Sequence, residues 1–167
     1  MSATDPHLPL AAALPEVVLL DLDGVVWLAH QAIPGSVEGI AALREAGVRV
    51  LFVTNNSGST EAEQVSALGA IGVPAEGDVL TSAMAGALLV APGERVLVCG
   101  GPGVTEAVAR RGAIAVTDGP CDAVMVGFHR TFTYERLRVA ATAVQTGARL
   151  IGTNDDATYP TPEGPIP

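Results

Sequence analysis

Asp21 and Asp23 stand one residue apart at the end of an apolar run, Val17-Val18-Leu19-Leu20, and Gly24 follows at once. A short apolar run that starts β-branched reads as a strand buried on both faces. Such a strand has little reason to end in two carboxylates unless something positive sits there. Alternation along an extended chain puts Asp21 and Asp23 on the same side. Two like charges that close raise each other's pKa unless a cation neutralises them. A hard divalent ion held by oxygen ligands, most economically magnesium, meets that need. Gly24 then frees the backbone for a tight turn and for close approach to a ligand.

A second apolar run, Val50-Leu51-Phe52-Val53, ends in Thr54-Asn55-Asn56-Ser57. The Thr54 hydroxyl and the Asn55 backbone N–H are donors suited to phosphate oxygens as charge develops on them. An ordinary Thr-Asn turn before a helix cap is the plainer alternative.

These residues need strands that end at one edge of a sheet, and the rest of the pattern supplies them. Strands are expected at 17–22, 48–53 and 79–80, with a helix from a Ser36 cap to Ala46 and Gly47 as its stop. Ser59 or Thr60 caps a second helix, with Glu61 and Glu63 in its first turn, and Ser82 opens an Ala-rich helix to about Val90. The alternation predicts a parallel α/β sheet with crossover helices. Ala91-Pro92-Gly93 is a breaker. Beyond it the alternation resumes, with strands at 96–99, 114–116, 123–126 and 150–151 and helices at 102–110 and 134–146. Three parts are therefore expected: a loose leader over 1–15, a first α/β unit over 16–91 and a second over 92–167.

Asp21-Leu22-Asp23-Gly24-Val25-Val26 resembles motif I of the haloacid dehalogenase (HAD) superfamily of phosphohydrolases, and Thr54-Asn55-Asn56-Ser57 resembles its motif II. Both, with Trp27, are similar to the branch carrying a large inserted α/β cap of the C2 type, which includes p-nitrophenyl-, phosphoglycolate- and glycerol-3-phosphate phosphatases. Leu80-Thr81-Ser82-Ala83, Val126-Gly127, Arg130-Thr131-Phe132-Thr133-Tyr134 and Gly152-Thr153-Asn154 extend the likeness over roughly 16–167. The resemblance implies the N-terminal part of a Rossmann-like parallel HAD core followed by the cap, and a magnesium-dependent phosphomonoester hydrolase acting on a small phosphorylated metabolite. It makes Asp21 the nucleophile, forming an aspartyl-phosphate, and Asp23 the general acid and base. Asp21 and the backbone carbonyl of Asp23 would serve the metal. Gly24, Thr54 and Asn55 would bind the phosphate. It also allows a homo-oligomer formed through the cap.

All nine basic residues are arginines, and there is no lysine. The family's post-cap lysine (sometimes arginine) and acidic cluster have no match here, so the resemblance further implies a C-terminally incomplete cap and core. An inactive N-terminal fragment of such an enzyme is the first alternative. A Rossmann-type nucleotide-binding module is a weaker one, because Gly100-Gly101-Pro102-Gly103 fails the G-x-G-x-x-G spacing and suits a helix-entry turn.

Hydrophobic residues make up 49% of the chain and charged ones 16%, which indicates a packed globular protein. A net charge of −9 argues against a nucleic-acid or anionic-membrane partner. Cys99 and Cys121 lack metal-ligand spacing and read as reduced thiols of a cytoplasmic protein. Asp155 and Asp156 read as solvated loop residues, and His7, His30 and His129 form no spaced set. Trp27 is a lone aromatic suited to walling a pocket.

Overall fold

The computed structural model describes residues 14–158 and Gly164. The expected leader lies outside the described residues for 1–13, as does His7, and so does the proline-rich tail from 159 on apart from Gly164.

The chain is α/β and builds two parallel sheets. In the first, β1 (Val17–Asp21), β4 (Arg49–Thr54) and β5 (Val79–Thr81) lie in the order β1-β4-β5. Between β1 and β4 come a small antiparallel pair, β2 (Trp27–Leu28) and β3 (Gln31–Ala32), and helix α1 (Ser36–Glu45); α2 (Glu61–Ala70) links β4 to β5. Both crossover helices cover one face. Phe52, Val50 and Val79 of the sheet meet Ile40 of α1 and Leu68 of α2 there, together with Leu22, Val26 and Trp27. The opposite face carries Val17, Leu19 and Leu80, which are exposed.

Short α3 (Ser82–Ala87) leads into the second sheet, formed by β6 (Arg95–Cys99), β7 (Ile114–Val116), β8 (Ala123–Val126) and β9 (Arg149–Gly152) in the order β7-β6-β8-β9. Helices α4 (Pro102–Arg110) and α5 (Tyr134–Gln145) complete it. Alternation along β6 feeds two cores. Val96 and Val98 pack with Ala83 and Ala87 of α3 and Val104 and Val108 of α4. Leu97 and Cys99 pack with Ala140 of α5. Since α3 contributes to the second sheet's core, packing draws the line between the units before Ser82, ahead of the Ala91–Gly93 break.

Local signals decide the helix ends. Thr60 and Glu63 form a reciprocal capping box on α2, which ties down two donors that the helix start leaves without partners. Thr133 caps α5 with a single bond, its hydroxyl accepting the Arg136 N–H. Ser36 is not the cap expected of it. Gly35 occupies that position at φ 87°, and Ser36 is the first helical residue, its hydroxyl donating to the Val26 carbonyl at 2.8 Å. The expected helix from Ser82 to Val90 stops at Ala87 and is capped from Thr81. Among the described residues no helix is long and apolar enough to cross a membrane.

Candidate active site

β1 and β4 run parallel in a register that sets Asp21 beside Val53, so Thr54 ends its strand at the same edge as the carboxylate pair. Carboxyl ends of parallel strands are where open α/β sheets receive ligands. Asp21 is exposed, and its carboxylate accepts the Leu22 N–H at 2.8 Å. Asp23 lies just past the strand, partly buried, and its carboxylate accepts Trp27 Nε1–H at 3.1 Å.

That environment sets the proton affinity of Asp23. Burial pushes its carboxyl above the ordinary range, and the neighbouring Asp21 charge pushes the same way. The Trp27 hydrogen bond and His30 act in the opposite sense. Burial is the largest of these influences, so the net direction is upward.

Gly24 makes the bend at φ 86°, a left-handed conformation that a side chain resists. Its N–H donates to the Trp27 carbonyl at 2.8 Å, so the amide is engaged within the turn. The Val26 and Trp27 amides both return to the Leu22 carbonyl at 3.0 Å, which folds the chain back behind Asp23. The small β2–β3 hairpin then turns through Ala29 and His30, both at positive φ as a tight primed turn demands. His30 is exposed and leans on Trp27, with ring centroids 4.9 Å apart.

Thr54 is buried and its hydroxyl accepts the Asn56 N–H at 3.1 Å. Asn55 is exposed at the strand end. Its carbonyl accepts the Ser82 hydroxyl at 2.8 Å and Asn154 Nδ2 at 2.9 Å, and its side-chain amide donates to the Asp156 carboxylate. The loop after β9 therefore lies over the end of β4.

Asp21, Asp23, Gly24, Thr54 and Asn55 thus come from two neighbouring strand ends and the turns that follow. Sequence reasoning missed what surrounds them. Trp27 is not a pocket wall; it is almost fully buried and holds Asp23. Asp156 sits in an exposed loop as expected, yet it reaches Asn55. Trp27 stands four residues beyond Asp23, across a glycine, which is a usable signal. Nothing local points from Asn55 to Asp156.

A metal is a chemical fit for this edge. The Asp21 carboxylate and the Asp23 backbone carbonyl are hard oxygen donors, and a magnesium site commonly uses one or two carboxylates with water and substrate phosphate. Among the described residues no group of three or more His, Cys, Asp or Glu side chains is arranged to hold a metal. Cys99 and Cys121 are free thiols, and burial pushes the Cys99 thiol up, towards inertness.

The chain is similar to several known phosphatases. It is 37% identical over 153 residues to the acid sugar phosphatase of Staphylococcus saprophyticus, a match covering 89% of this chain and 59% of that protein. It is 36% identical, with the same coverage, to the 5′-nucleotidase YutF of Bacillus subtilis. The crystal structure of a glycerol phosphate phosphatase from Mycobacterium tuberculosis in complex with magnesium superposes with a TM-score of 0.84 at 35% identity, covering 91% of this chain and 47% of that one. The chain therefore spans 59% of the length of these curated relatives. Residues 18–114 match the model of the haloacid dehalogenase-like hydrolases, more than half of the sequence, and the chain belongs to that family.

Proposed function

We propose that the chain carries the nucleophile side of the active site of a magnesium-dependent phosphomonoester hydrolase, with 16–91 as the first part of the core and 92–167 as cap. In packing terms α3 goes with the cap. The observation that carries the reading is the β1–β4 register, which sets the carboxylate pair and Thr54 at one sheet edge. The likeness to a sugar phosphatase, a nucleotidase and a glycerol phosphate phosphatase supports a small phosphorylated metabolite as substrate.

In this reading an Asp21 carboxylate oxygen attacks phosphorus, and the bond from phosphorus to the leaving oxygen breaks. Asp23 gives its proton to that oxygen. Its raised proton affinity suits it to hold the proton until then. Asp23 next takes a proton from water as the water attacks the aspartyl-phosphate, releasing phosphate and restoring Asp21. Thr54 and the Asn55 N–H hold non-bridging oxygens, while Gly24 contributes its bend. Asp21 and the Asp23 backbone carbonyl would hold magnesium, which when bound offsets repulsion between carboxylate and phosphate.

The test is hydrolysis of p-nitrophenyl phosphate by the intact protein before and after chelation. Turnover should stop with EDTA and return with added magnesium. Turnover indifferent to chelation would overturn the metal-dependent reading.

A further inference from the structure

The segment from Thr54 to Thr60 does more than connect β4 to α2. Ser57 has no exposed surface. Its hydroxyl oxygen accepts the Phe128 N–H at 2.8 Å and the Thr153 hydroxyl at 2.9 Å, from the loops after β8 and β9. Beside it the two units meet backbone to backbone. A Cβ on Gly103 would stand 2.1 Å from the Ser59 carbonyl oxygen, and one on Gly101 would stand 2.6 Å from that of Gly58. A Cβ on Gly127 would stand 2.6 Å from Ser57 Oγ. The Gly103 N–H donates to the Gly58 carbonyl at 3.0 Å. The Gly100–Gly103 turn, which suits a helix entry and opens α4, receives polypeptide here.

The same segment reaches back to the strand end without a gap. The Thr54 hydroxyl accepts the Asn56 N–H at 3.1 Å, and the Asn56 side-chain oxygen accepts the Gly58 N–H at 3.0 Å. Gly58 is the residue that Gly103 grips. One series of hydrogen bonds therefore runs from the Thr54 hydroxyl to α4, with Ser57 pinning its middle to β8 and β9. Glu61 extends the joint: its N–H donates to the Glu106 carboxylate at 3.0 Å, and its own carboxylate pairs with Arg110.

We infer that Ser57 is a positioning residue that locks the second unit onto the 54–58 turn, so that the seating of that unit sets where the Thr54 hydroxyl stands. Its consequence for phosphate binding rests on the phosphatase reading; the lock itself does not. Contacts this close leave no slack, so a shift of the second sheet must carry 57–59 with it. A buried hydroxyl serving two donors leaves both unsatisfied when it is removed.

The experiment is amide hydrogen exchange, followed by NMR on the 167-residue chain, with inorganic phosphate titrated in the presence of magnesium. In Ser57→Ala, the Phe128 and Asn56 amides should both exchange faster, by about tenfold or more, because local opening loses a hydrogen bond's worth of protection. Amides of Val96–Val98 should keep their protection. Thr153→Val, which leaves Ser57 in place, should give the same pattern more weakly and guards against a misfolded Ser57→Ala. Where the wild type binds phosphate, both variants should bind it more weakly while the Val96–Val98 protection holds. Faster exchange at Phe128 with Asn56 unchanged would overturn the lock. Coupled exchange in a chain that binds no phosphate would support the lock and count against the phosphatase reading alone.

Discussion

The two sheets are built on the same parallel plan but are finished differently. The second is covered on both faces, by α3 and α4 on one side and α5 on the other. Among the described residues the first is covered on one face only, and β1 at its edge has no partner on its outer side. Val17 and Leu19 are exposed there, Leu19 at 62%. The candidate chemistry stands on this less covered sheet, with Asp21 at the end of the open edge strand. The second sheet offers no comparable pair of strand-end carboxylates; its loops reach over and hold Asn55, Ser57 and Gly58. The difference separates two tasks. One unit carries the candidate reactive groups, and the other supplies the loops that surround them.

The largest expected effect tests where the chemistry resides. Asp21→Asn should lower phosphatase activity of the intact protein by about 10³-fold or more, the scale on which losing a nucleophile acts. Its melting temperature should barely move, because Asp21 is exposed. Activity surviving the change would remove the first unit's claim to the reaction.

Stability should separate the sheets next. Leu97→Ala in the second sheet should cost about 2–5 kcal/mol, the range for truncating a buried leucine; Leu97 is 2% exposed. Leu19→Ala should stay within about 0.5 kcal/mol in the 167-residue chain. Urea unfolding of both variants is the check. Equal costs would mean that the open face of the first sheet is covered in solution.

The family resemblance and the strand–helix alternation were legible because each rests on local pattern. The run ending at Asp21, the run ending at Thr54, the Thr60 cap with Glu61 and Glu63 behind it and the Pro102 helix start are each a signal contained within a few consecutive residues. The helix after Ser82 was overextended because Leu88 and Leu89 also favour helix, whereas the chain makes short turns beyond Ala87. Asp21, Asp23 and Thr54 were legible as candidates for the same reason as the strands. Trp27 was misjudged, since its hydrogen bond to Asp23 depends on the fold-back at Gly24 and not on hydrophobicity. Ser57 and Asp156 were beyond reach, because their partners lie about 70 to 100 residues away and meet them only once the two units are seated.

The smallest effect is a difference in sign with pH, measured on metal-free protein. The raised Asp23 carboxyl keeps its proton longer in the folded chain than in the unfolded one. Its contribution to stability is present at low pH and fades as pH rises from the ordinary carboxylate range through its own value. Burial, with Arg136 nearby, lowers His129 instead. Its contribution is present above the ordinary imidazole range and fades as pH falls through the lowered value. Asp23→Asn should therefore flatten the first limb and His129→Gln the second, by urea midpoints across pH. Matching slopes in both variants would break the contrast.

The central claim is that Asp21 takes the phosphoryl group. Rapid mixing of the intact protein with substrate and magnesium, acid quenching and borohydride reduction would convert any acyl phosphate to a mass-tagged side chain. Peptide mass spectrometry should then find the reduction at position 21 and at no other carboxylate. Reduction at Asp23 or another acid, or turnover with no trapped acyl phosphate at any time point, would contradict the account.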